Sequence, residues 1–253
     1  MTDLITEDRR VLVFSAHAAD FCSRAGGTIA RLVDAGGSVH IHDMSFGEKC
    51  ESPALWAQQP PPAIEQIKEI RGREMSAAAA TLGATIDCLD WGDSPLIVDA
   101  DRQQQLLELF RAFQPDLVLT HWKDDILHPD HMECTRAVIW ASRYCFRPGL
   151  DIESPPCPSP QLVLYETTLG TAPVARFLPN LFVDISQVQQ RKAEALGHLA
   201  AQPGLAERYE TLAAYRAFEA QSTAWMQGCQ YAEAFVRLGT EAAGFDGPAG
   251  FGP

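Results

Sequence analysis

The sequence predicts an α/β protein: one domain in which a mostly parallel sheet is flanked by helices. Three observations lead there. Short apolar runs recur at residues 11–16, 39–44, 86–89 and 117–120. Helical spacings fill the intervals between them, and strands alternating with helices at this distance imply right-handed crossover units. The 253 residues suffice for one large core, and neither an internal repeat nor a linker divides residues 1–253.

Each element has its own signal. Val11 to Ala16 is a buried strand by its continuous apolar run, and a helix over Thr28 to Ala35 follows the pair Gly26-Gly27 and stops at Gly36-Gly37. Val39 to Met44 is a second strand, in which His40 and His42 read as structural residues. The prolines at 60–62 precede a helix from Ala63 to Leu82 that Gly83 ends. Ile86 to Leu89 is a third strand, Asp101 to Phe113 an amphipathic helix, and Leu117 to Thr120 a fourth strand after Pro115. Helical residues run from His128-Pro129 to Tyr144, and the five prolines in 147–160 make that stretch a surface loop. Later strands are expected at Leu162–Tyr165 and Leu181–Val183. Helices are expected at Gln187–Ala201 and over Leu205–Leu238, the latter with a break, and residues 244–253 read as a flexible tail. The whole is Rossmann-like.

A net charge of -13 argues against nonspecific nucleic-acid binding and against a polybasic membrane contact. Seven scattered cysteines without a CxxC pair read as reduced thiols. The first ten residues are too polar for a secretory signal, and no run of about 18 apolar residues occurs. A cytoplasmic protein is the expectation.

The chemistry gathers in two clusters. His17 and Asp20 end the first strand, and His128-Pro129-Asp130-His131 follows the fourth. Proline suits the first turn of a helix, and residues three apart share a face, so His128 and His131 can point into one cleft. Ligands of type His, Asp, His with an open position suit a catalytic divalent cation, most often Zn2+, with Fe2+ and Co2+ as alternatives.

Taken together, Ala16-His17-x-x-Asp20, Gly26-Gly27-Thr28-x-x-x-Leu32, Phe46-Gly47-Glu48 and Arg71-x-x-Glu74-x-x-x-Ala78-x-x-x-Leu82-Gly83 form a pattern. With His128-Pro-Asp-His131, Phe182-Val-Asp184-Ile and Tyr231-Ala-Glu-Ala-Phe235 it spans nearly the whole chain. The pattern resembles the zinc-dependent PIG-L/LmbE-like N-acetylglucosaminyl deacetylases. That resemblance implies that His17, Asp20 and His131 bind the metal and that His128 stabilises developing negative charge.

One position departs from the family. Its first motif reads His-Pro-Asp-Asp, and the earlier aspartate is the general base for water; here Ala18-Ala19 stands instead, with Ala19 at the base position. General base catalysis is worth roughly 10²–10⁴-fold, so amide hydrolysis is undermined while the metal ligands persist. Within the family this points to a branch that hydrates a carbon–carbon double bond in a small tricarboxylate, with deacetylation through a relocated base as the alternative. Glu48 is then the candidate acid/base, with Asp124, Asp125 and Asp130 as rivals, Asp130 rather as an orienter of a ligand histidine. Arg24, Lys49 and Arg71 are candidate anchors for substrate carboxylates, alongside Arg73 and Arg143. His121 reads as packed or solvated, and Trp56, Trp91 and Trp122 as packing residues at the pocket. The resemblance and the tail lean towards a homo-oligomer.

Overall fold

The computed structural model describes residues 4–238. In chain order the elements are β1 (Arg10–Ser15), α1 (Asp20–Asp34), β2 (Ser38–Asp43), α2 (Pro53–Trp56), α3 (Ile64–Leu82), β3 (Thr85–Cys88) and α4 (Ala100–Phe113). Then come β4 (Leu117–His121), α5 (Pro129–Tyr144), β5 (Gln161–Tyr165), β6 (Leu181–Asp184), α6 (Gln189–Gly197), α7 (Leu205–Thr223) and β7 (Ala232–Leu238). They build one seven-stranded sheet in the order β3-β2-β1-β4-β5-β7-β6. The strands from β3 to β5 are parallel, and β7 runs antiparallel to both its neighbours.

The apolar runs are continuous because both faces of the sheet are covered. Val11 and Val13 face a core shared with Phe21, Ile29, Met75 and Tyr209, so α1, α3 and α7 lie on that side. Leu12 and Phe14 point the other way, to Leu106, Phe110 and Val138 of α4 and α5. The chain leaves β1 towards β2 on one side and reaches β4 on the other. That reversal opens a crevice at the carboxyl ends of β1 and β4, where open α/β sheets hold their ligands.

Two helix expectations need correction. Helix α1 starts at Asp20, so Gly26 and Gly27 lie inside it instead of opening it. A Cβ on Gly27 would sit 2.6 Å from Ile185 Cγ2, so the glycine is there to let α1 press against the end of β6. The long C-terminal helix ends at Thr223, and residues 232–238 are strand β7, not helix. Glu233 and Ala234 suit a helix by propensity, but pairing with β5 and β6 on both sides outweighs that weak preference. Residues 147–160 contain no helix or strand, as their prolines dictate. The tail expected at 244–253 lies outside the described residues. Among the described residues, no helix is long and apolar enough to cross a membrane.

Candidate metal centre

The turn after β1 and the start of α5 bring both histidine clusters to the crevice. Asp20 opens α1, and its Oδ2 accepts the His17 backbone N–H at 2.9 Å, which ties the carboxylate beside the histidine ring. His17 Nδ1 lies 3.3 Å from that same Oδ2, and His131 Nε2 lies 3.4 Å from it. All three residues are buried.

The hydrogen bonds decide which nitrogens carry lone pairs. His131 Nδ1 is 2.9 Å from Asp125 Oδ2, so the proton sits there, and Nε2 is buried without a partner. A carboxylate behind one ring nitrogen with the other left free is the usual arrangement of a metal-ligating histidine. Asp125 is itself fixed by the Thr168 N–H and hydroxyl, both at 2.9 Å. His17 shows the same logic reversed: Nε2 lies 3.4 Å from both Asp93 and Asp130, leaving Nδ1 turned towards Asp20. Asp130 also accepts the backbone N–H groups of Ser94 and Leu96, both at 3.0 Å. It therefore sits against the His17 ring while anchored to the loop after β3.

Asp20 Oδ2 thus lies between His17 Nδ1 and His131 Nε2, and these are the three residues that the family resemblance implies as metal ligands. His121 is different. It too lies 3.4 Å from Asp20 Oδ2, but its Nε2 accepts the Ala16 N–H at 2.9 Å, so that lone pair is taken. Its ring stacks on His131 at 3.9 Å, and burial together with His131 drives its pKa well down, so it packs as a neutral ring.

Charge balance points the same way. Burial opposes ionisation of Asp20, yet His131, Arg24 and His121 hold its pKa well below the usual range. Burial also opposes a charge on His17, but Asp130, Asp20 and Asp93 outweigh it and raise its pKa. Asp93 is pulled down to about 2 against the pull of burial, chiefly by His17. Asp43, at the end of β2, is buried with both oxygens unpartnered, and burial followed by Asp20 pushes its pKa well up. Such a buried surplus of carboxylates over cations calls for added positive charge.

His128 caps α5 and stacks on His131 with ring centroids 3.7 Å apart. Its Nε2 meets Glu51 Oε1 at 2.9 Å, a contact absent from the sequence reading. Glu51 also accepts from Gln202 Nε2, and Gln202 Oε1 accepts from Arg71 Nη2 at 3.1 Å. Arg71, Gln202, Glu51 and His128 therefore form one chain of contacts. Burial would raise the Glu51 pKa, but His128 and His17 lower it. Glu48 is only 2% exposed, and its Oε2 has no partner. Burial raises its pKa, with Asp93 adding to the effect. Ala19 is buried next to Asp20 in the chain and offers only a methyl.

The expected carboxylate anchors turn out to be otherwise engaged. Arg24 is buried and pairs with Asp20 Oδ1 at 2.5 Å, so it steadies that carboxylate from behind. Arg71 gives Nε to the Phe46 carbonyl, Nη1 to Glu74 and Nη2 to Gln202, which makes it a brace for the Gly-Glu loop. Lys49 is exposed, and its Nζ donates to the Asp93 carbonyl at 2.7 Å. Arg71 has every guanidinium nitrogen engaged, whereas Arg24 Nε is buried without a partner. Asp93 and Glu51 were missed because their roles depend on loops after β3 and β2 meeting His17 and His128; the only sequence signal was their place in loops after strands.

Residues 12–142 match the model of the PIG-L family, GlcNAc-PI de-N-acetylase. The chain belongs to this family. It is 34% identical over 220 residues to 4-oxalmesaconate hydratase of Pseudomonas putida KT2440, covering 85% of this chain and 83% of the relative. The crystal structure of GalB, the 4-carboxy-2-hydroxymuconate hydratase from Pseudomonas putida KT2440, superposes with a TM-score of 0.85 at 31% identity, over 90% of this chain and 95% of that one. N,N'-diacetylchitobiose deacetylase from Pyrococcus horikoshii superposes with a TM-score of 0.73 at 25% identity, over 91% and 84%. The described fold and these neighbours agree with the single, mostly parallel α/β domain that the sequence predicts.

Proposed function

We propose that the protein is a metal-dependent hydro-lyase that adds water across the carbon–carbon double bond of 4-oxalmesaconate (4-carboxy-2-hydroxymuconate), giving 4-carboxy-4-hydroxy-2-oxoadipate. One observation carries the reading: Asp20 Oδ2 lies 3.3 Å from His17 Nδ1 and 3.4 Å from His131 Nε2, and next to them in the chain stands Ala19, which has no group to take a proton. The likeness to the Pseudomonas putida hydratase over most of both chains supports it.

Hydration suits this inventory. Water must reach one carbon and a proton its neighbour, but no amine leaves, so the acid–base demand is smaller than in amide hydrolysis. A divalent cation on His17, Asp20 and His131, zinc in this reading, supplies the positive charge that stabilises anionic substrate oxygens. Glu48 is the proton carrier. Its free Oε2 has no structural duty, and its raised pKa brings it nearer to neutrality, where a group that must both take and give a proton works best. Glu51 is bound on both sides and serves to orient His128, whose ring faces charge developing on the substrate.

The test follows the conjugated-diene absorbance of 4-carboxy-2-hydroxymuconate with metal-replete and with chelated protein. The reading requires loss of absorbance that chelation stops and added Zn2+ restores. Unchanged absorbance, together with acetate release from acetylated amino sugars, would replace it with the deacetylase alternative.

A further inference from the structure

We propose that His40, His42 and Asp87 form a second divalent-cation site, sharing no residue with the one at the crevice, for a borderline ion such as Zn2+ or Ni2+. Residues 40 and 42 alternate along β2, so their side chains stand on the same face of the sheet. The β2–β3 register sets His40 opposite Thr85 and His42 opposite Asp87. One ligand atom from each of His40, His42 and Asp87 lies within 4.8 Å of the other two, and the imidazole centroids are 4.4 Å apart.

The hydrogen bonds orient the His40 ring for such a role. The Thr85 hydroxyl lies 3.3 Å from the Val39 carbonyl, to which it donates, so it accepts from His40 Nδ1 at 2.7 Å. The His40 lone pair is then on Nε2, which faces Asp87 Oδ2 at 3.0 Å. Two lone-pair atoms at that distance attract each other only through a positive charge between or on them. A proton on His40 would satisfy that pair but would leave His42 unexplained. His42 is 6% exposed, stacks on Phe14 at 5.4 Å, and makes no hydrogen bond, with Nδ1 fully buried. A buried imidazole without a partner costs roughly 1–3 kcal/mol, whereas a ligand to a cation recovers that loss. Burial, with His40 next, lowers its pKa to about 4, so at neutral pH it is the unprotonated imidazole that metals bind. Asp87 is well exposed and gives the ion a way in. Two imidazoles, one carboxylate and water make the donor set of a borderline divalent ion.

The test uses protein already carrying one equivalent of metal at the crevice, in a Cys50→Ser background that removes the exposed thiol. Zn2+ alone is titrated by calorimetry and counted by equilibrium dialysis. A second equivalent is expected, absent in Asp87→Ala and in His42→Gln, with hydration activity unchanged. Thr85→Val, which removes only the bond orienting His40, should weaken it by about tenfold. No Zn2+ bound beyond the first equivalent, in the Cys50→Ser protein with His40, His42 and Asp87 intact, would overturn the site. So would a second equivalent that persists undiminished in Asp87→Ala, the exposed position least able to disturb folding.

Discussion

Two buried charged clusters lie along α1, one at its start at Asp20 and one at Gly27 and Thr28, and they are built on opposite principles. On the side towards β7, Glu233 accepts the N–H groups of Gly27 and Thr28 at 2.9 and 2.7 Å, the Thr28 hydroxyl at 2.6 Å, and Lys192 Nζ at 2.7 Å. Every lone pair there has a donor, and the one buried positive charge meets the one buried negative charge. At the crevice, by contrast, His131 Nε2, His128 Nδ1, Glu48 Oε2 and both Asp43 oxygens are buried without a partner. Buried polar atoms are rarely left so, because each costs about 1–3 kcal/mol. The Glu233 cluster closes a structure; the crevice cluster keeps atoms available for a cation and a substrate. Burial of charge alone therefore does not mark a site, but burial with unspent donors and acceptors does.

Substitutions should separate the two clusters cleanly, starting with the largest effect. Asp20→Ala or His131→Ala should remove the bound metal and with it several kcal/mol of charge stabilisation, on the order of 10³-fold or more in turnover. Metal analysis on folded protein checks it, and full activity without metal would break the contrast. Glu48→Gln should cost about 10²–10⁴-fold in kcat with metal content intact. A near-normal rate would move the proton carrier elsewhere, with Glu51 the first to examine. Glu233→Ala should do the reverse: a loss of roughly 3–5 kcal/mol in stability, since Lys192 is left buried and unpaired, with the residual folded protein still binding metal. Denaturant unfolding reads this, and an unfolding midpoint equal to that of the parent would refute the structural role. Gly27→Ala should cost about 1–3 kcal/mol by overpacking against Ile185. Lys49→Ala should change KM within about threefold, since exposed polar contacts contribute little; a much larger rise would return Lys49 to the substrate.

Much of this was legible in the sequence for one reason. Strand ends and helix starts are local, so the positions of His17, Asp20, His128 and His131 at the carboxyl edge of a parallel sheet follow from apolar runs and the proline at 129. Ala19 needed no structure either, because a methyl has no proton chemistry in any fold. The arginines could not be read this way. Whether a guanidinium is free depends on what the chain returns to it, and Arg71 meets Gln202 from a loop far along the sequence.

The same division runs through the whole molecule. The sequence by itself determined the α/β alternation, most helix bounds, and the placing of the candidate metal-ligating residues and of Ala19 at the strand ends, because short-range pattern and side-chain chemistry are properties of neighbours. Only the tertiary structure decided that 232–238 is a strand, that Gly27 makes room for Ile185, and that Glu51 and Asp93 reach His128 and His17. Those outcomes depend on strand pairing and close approach between distant segments, where packing overrides the weak local preferences that a sequence displays.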